Sequence, residues 1–231
     1  MWVLLEVKTY LMYSCCMEYR PNVWFSPGKI LVHYFDKEKL VGSKLKTSQE
    51  YKIIREAYAV ALALLGIQKL QGIEYWMQLV DPKESTPDIR TARLEQDTNM
   101  LNVHDIEVVT LEEHSSESVE DFLKRTKLSA KKKYPKNTAI LCYIERNLYI
   151  KSQKEIVDDL SVTKKENDVW ILGQIAFTSN TYQLALVNPS AGPVIHFNLD
   201  EERWKPAIHL MMTRRSLKRR IWRTDEKCRP F

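Results

Sequence analysis

His104-Asp105-Ile106-Glu107-Val108-Val109-Thr110-Leu111 is the stretch from which the fold is read. Its β-branched residues favour a strand, and strand alternation sends Asp105 and Glu107 to one face. Two further strands precede it, Ile73 to Val80, stopped by Asp81-Pro82, and Asp88 to Glu95. The connections are short, so the three strands read as an antiparallel meander. Before them, Thr47 to Leu65 reads as a helix. Thr47 and Glu50 form its capping pair, Ile53, Ala57, Val60 and Leu64 its apolar stripe, and Gly66 its end. After them, Ser118 to Ser129 reads as a helix with Ser118 and Asp121 at its cap. The almost wholly apolar Thr138 to Ile144 then suits a strand buried on both faces, in the parallel position that a helical crossover supplies.

The flanks read as more β-structure. Residues 1 to 46 present Val3 to Tyr13 and Lys29 to Phe35 as strands, with turns at Pro21-Asn22 and Pro27-Gly28. Val169 to Phe177 and Tyr182 to Val187 flank a hairpin turn at Thr178 to Thr181, and Val194 to Leu199 follows. Trp204 to Arg223 holds a short basic helix. The expected architecture is α/β (α+β): a mixed sheet with an αβββαβ core over about 47–145 and extra strands at both ends. It forms a single domain over 1–202, with a basic extension over 203–231.

Composition narrows the class. With 231 residues, 44% of them hydrophobic, the chain can bury one substantial core, and 28% charged residues is a globular proportion. The four cysteines have no CxxC spacing and the histidines form no HxxxH or HExxH pattern, which argues against structural zinc. Reduced thiols, no secretion signal and no apolar run of about 18 residues point to a cytoplasmic protein without a membrane segment.

The net charge of +5 is unevenly spread. Residues 203–231 hold ten Lys/Arg against two acids, or +8, and the remaining chain has 25 against 28, or −3. Arg214, Arg215, Lys218, Arg219, Arg220 and Arg223 crowd into the ten positions 214–223, with Trp204 and Trp222 close by in the chain. Such a segment suits a polyanion, with guanidinium forks on phosphates and indoles on bases. An acidic protein partner and a solvated tail are the other readings.

Glu56 in the first helix, Asp88 at a strand start and the pair Asp105 and Glu107 can converge on one sheet edge. Carboxylates gathered without a cation oppose one another's ionisation, and a hard divalent ion such as Mg²⁺ or Mn²⁺ relieves this. An acid in the first helix, Pro87-Asp88 at the second strand and Asp105-Ile106-Glu107 on the third resemble the PD-(D/E)xK nuclease-like superfamily, over roughly residues 47–145.

The resemblance implies a restriction-endonuclease-like fold and metal-dependent hydrolysis of DNA phosphodiester bonds. Asp88 would be the central metal ligand, Asp105 the acid of the second motif and Glu56 a supporting acid. Glu107 stands where the family has lysine, as in some members among restriction enzymes, and would be a base or extra ligand. Lys124 or Lys127 from the next helix would then supply the amine, and with Lys131–Lys133 and Lys136 would track the phosphate backbone. In a second register Glu107 is itself the acid and Val109 takes the lysine's place, which leaves the site without its lysine.

Plainer readings stand beside these. Pro-Asp starts many turns, helix flanks carry solvated acids, and lysines near a helix C-terminus complement its dipole. The alternative function is a catalytically inactive binding module that serves a protein partner as subunit, adaptor or inhibitor. A homodimer would suit a duplex-cutting enzyme.

Overall fold

The computed structural model describes residues 23–81, 87–94, 101–129, 131–145, 152–175 and 180–200. The expected strand Val3 to Tyr13, the turn at Pro21-Asn22 and the basic segment from Trp204 onward lie outside these residues.

Pro27–Val41 forms helix α1, where the sequence reading placed the strand Lys29 to Phe35. The Ser26 side chain accepts the Lys29 amide and proline occupies the first helical turn, two start signals that outweigh the β-propensity of Ile30, Val32 and Tyr34. Helical spacing buries Ile30, Leu31 and Tyr34 and leaves Val32 exposed, whereas a strand would align Ile30, Val32 and Tyr34 on one face. Ile30 and Leu31 are fully buried, worth about 2 kcal/mol each. Before α1, Phe25 forms an antiparallel bridge with Met77, with both N–H···O bonds at 2.8 Å.

Lys44–Thr47 (α2) and a 3₁₀ turn at Gln49–Tyr51 lead into the long helix α3, Lys52–Gln71. Thr47 therefore ends a short helix and does not cap the long one. Its Oγ1 donates back to the Ser43 carbonyl, and Ser48 accepts the Glu50 amide. Gly66 does not end α3. The helix runs on until Gly72, at φ +68, donates to the Gln68 carbonyl. Gly66 is interior because Phe197 packs on it: a Cβ there would lie 2.8 Å from the phenyl ring.

The remaining elements are β1 (Tyr75–Leu79), β2 (Ile89–Leu94), β3 (Leu101–Leu111), α4 (Val119–Thr126), β4 (Thr138–Ile144), α5 (Gln153–Ser161), β5 (Val169–Gln174), β6 (Thr181–Asn188) and β7 (Val194–Asn198). They form one mixed sheet in chain order. β1, β2 and β3 are antiparallel, β3, β4 and β5 are parallel, and β5, β6 and β7 are antiparallel again. The expected meander, crossover and doubly covered β4 are all present. Helix α5 was not expected, although Ser152 and Glu155 form a full capping box at its start. Extra strands follow the core at its C-terminal side. On the N-terminal side the described residues from 27 to 47 are helical.

Both sheet faces are covered. Ala57, Ala61 and Leu64 of α3 pack with Ile106, Val108, Leu141, Leu172 and Leu184 on one face. Leu123 of α4 and Ile156 and Leu160 of α5 pack with Ile140, Cys142, Ile171 and Val187 on the other. No described helix is long and apolar enough to cross a membrane.

Candidate functional site

Where β2 begins, the pairing of Ile89 with Ile106 sets Asp88 beside Glu107. β3 alternation carries Ile106 and Val108 into the α3 face, so Glu107 projects on the α4 side. Asp88 accepts the Val108 amide on Oδ2 at 2.8 Å just outside the end of β2, which fixes the carboxylate against β3. Glu107 is 4% exposed.

Burying two carboxylates side by side is costly without a cation. Lys127, at the C-terminal cap of α4, supplies it. Its Nζ lies 2.7 Å from Glu107 Oε2 and 3.6 Å from Asp88 Oδ2, and its side chain is 13% exposed. One ammonium thus serves two acids. Glu107 Oε1 is buried with no hydrogen-bond partner.

Glu56, on α3, is near enough to Asp88 and Lys127 for their charges to act on its carboxyl. Its carboxyl is pushed up to about 7, by burial first and by the negative charge of Asp88 second, against the pull of Lys52, whose Nζ is 3.2 Å away, and of Lys127. Tyr134, in the loop before β4, adds a phenol. Burial, then the charges of Glu107 and Asp88, push it up to about 12, and its hydroxyl is buried without a hydrogen-bond partner.

The sequence-derived residues separate accordingly. Asp88, Glu107 and Lys127 come together, while Glu56 on α3 is ion-paired with Lys52. Asp105 shares the β3 face with Glu107, but its carboxylate is ion-paired with Arg90 on β2 at 3.3 Å. The acid in contact with the lysine that also reaches Asp88 is Glu107. That lysine is Lys127, at the C-terminal end of α4. Tyr134 and the Lys52 partner of Glu56 were missed. Lys52 could have been found, since it stands four residues before Glu56. Arg214, Arg215, Lys218, Arg219, Arg220 and Arg223 lie outside the described residues.

Among the described residues no group of three or more His, Cys, Asp and Glu side chains has the arrangement of a metal site. The acids in contact with Lys127 are two. Magnesium is commonly held by one or two carboxylates, with waters and substrate phosphates completing its shell. Asp88 and Glu107, whose Oε1 is unpartnered, fit that demand in donor type and number.

Comparisons with protein-family models, with curated proteins and with solved structures found no match.

Proposed function

We propose that this chain is a metal-dependent nuclease of restriction-endonuclease-like fold that hydrolyses DNA phosphodiester bonds. The observation that carries the reading is Lys127 shared by Asp88 and Glu107 at the junction of β2, β3 and α4. An acid before the second strand, an acid in the third and an amine beside both reproduce the chemistry of the PD-(D/E)xK motif, with the amine moved to a helix. The order of α3, the β1–β3 meander, α4 and the parallel β4 supports the same assignment.

Asp88 and Glu107 would hold Mg²⁺ or Mn²⁺, which when bound neutralises phosphate charge and lowers the pKa of a water. The chain's own groups do the rest. The Val108 amide keeps the Asp88 carboxylate oriented. Lys127, released in part from the carboxylates, would donate to a phosphate oxygen or hold the attacking water. Glu56, whose carboxyl is pushed up to about 7 by burial first, would be a supporting acid. Cleavage of a DNA duplex by the parent, compared with Asp88→Ala, Glu107→Gln and Lys127→Ala, tests the proposal. All three substitutions should lower the rate at least about 100-fold, the scale of losing a positioned catalytic group. Equal rates in parent and Asp88→Ala sink it.

The second reading is a binding module in which the triad is a structural ion pair. The observation in its favour is that Lys127 already sits against both carboxylates. That reading expects no change on chelation and a loss of stability alone when Lys127 is replaced.

A further inference from the structure

Two loops at the start of the parallel strands carry more positive charge than their surroundings balance. The α4–β4 loop holds Lys131, Lys132, Lys133 and Lys136, and the α5–β5 loop holds Lys164 and Lys165. Over 131–137 and 164–168 the only acids are Glu166 and Asp168. All these lysines are exposed except Lys165, which is half-buried.

The loops are braced to each other. Asn167 donates through Nδ2 to the carbonyls of Pro135 and Thr138, both at 2.9 Å. Asn188 donates to the carbonyls of Lys165 and Asn167 at 2.9 and 2.8 Å. Lys165 Nζ donates to the Lys132 carbonyl across the loop pair. Lys164 sits at φ +52, a left-handed conformation that side-chain-bearing residues seldom adopt. Like charges are therefore held together by a fixed backbone and cannot disperse as they would on a loose tail.

The ridge adjoins the carboxylate site. Between Lys133 and Lys136 the chain turns Tyr134 inward, where its phenol feels Glu107 and Asp88. Thr138, at the end of the same loop, pairs with Asp105, two residues before Glu107.

We infer that this braced lysine ridge binds the phosphate backbone of a DNA duplex running outward from the Asp88–Glu107–Lys127 site. The inference rests on the reading of that site as a phosphodiester site. It adds a second contact region, part of which lies some 30 residues further along the chain in the α5–β5 loop. Lysine ammoniums read phosphate as point charges, so the ridge contributes affinity without base preference.

The test uses the full chain and a short fluorescent DNA duplex, with affinity measured across a salt series in the absence of divalent cation. The variant replaces Lys132, Lys133, Lys136 and Lys164 by Gln. These side chains are exposed, so its melting temperature should match the parent's and report that it folds. The ridge predicts at least a tenfold loss of affinity at low salt, and a log–log salt slope shallower by about 2 to 4, since each phosphate contact contributes about 0.9. Parent-like affinity and slope in the quadruple variant overturn the inference. Cleavage by the same proteins separates the two claims. If Asp88→Ala cleaves normally while the quadruple variant loses binding, the ridge stands and the carboxylate reading falls. If Asp88→Ala is inactive while the quadruple variant binds like the parent, the reverse holds.

Discussion

Lys127 Nζ lies 2.7 Å from Glu107 Oε2, although the two residues are 20 positions apart and reach the contact from a helix end and a strand interior. The pairing accounts for how a glutamate can be buried in β3. It predicts that Lys127→Met leaves Glu107 as an uncompensated buried charge, costing about 3–5 kcal/mol. Replacing both, as Lys127→Met with Glu107→Gln, should recover much of that loss. Chemical denaturation of the two single variants and the double variant measures the coupling, and simple additivity would show that the pair does not act as a unit.

Glu56 makes stability depend on pH. Its folded-state pKa of about 7 lies above the ordinary 4.5, so the folded state holds this proton more tightly than the unfolded chain does. The contribution is intact below about 4.5, is lost as pH rises toward 7 and is constant above that. At about 1.4 kcal/mol per unit the full loss is roughly 3 kcal/mol. Glu56→Gln should therefore match the parent at pH 4 and exceed it in stability at pH 8. A variant no more stable than the parent at pH 8 contradicts the assignment.

Asp105 and Arg90 form a partly exposed pair, with side chains 19% and 38% accessible. Pairs of this kind contribute about 1 kcal/mol or less. Asp105→Asn should cost little stability and, under the nuclease proposal, change the cleavage rate much less than Asp88→Asn does. Equal losses of activity in the two variants would restore Asp105 to the site.

Gly66→Ala should destabilise the protein, by about 1–3 kcal/mol for overpacking, despite the better helix propensity of alanine. The new methyl would meet the ring of the buried Phe197 at 2.8 Å. A thermal melt of this variant alongside Gly66→Ala with Phe197→Leu tests the contact, because the smaller side chain should relieve the clash.

What was legible in the sequence follows physical range. The meander, α4 and β4 were readable because each carries its signal locally, as β-branched alternation, the Ser118 cap or an unbroken apolar run. Helix α1 is hard to read because Lys29 to Phe35 is rich in strand-forming types, Pro27-Gly28 also spells a turn, and the Ser26 cap shows only once the helix is placed. The end of α3 was misplaced because the choice of glycine depends on Phe197, more than a hundred residues away. Asp88, Glu107 and Lys127 were each candidates, but which acid the lysine would join depends on the register of β2 against β3 and on where α4 ends. Neither is written in any one segment.

The most direct measurement is calorimetric titration of Mn²⁺ into the parent, Asp88→Ala and Glu107→Gln at pH 7.5, with a DNA duplex present under conditions of no net turnover. The account predicts saturable binding to the parent and none to either variant. Binding that survives in both variants, or no binding to the parent with duplex bound, would contradict a metal site built on Asp88 and Glu107.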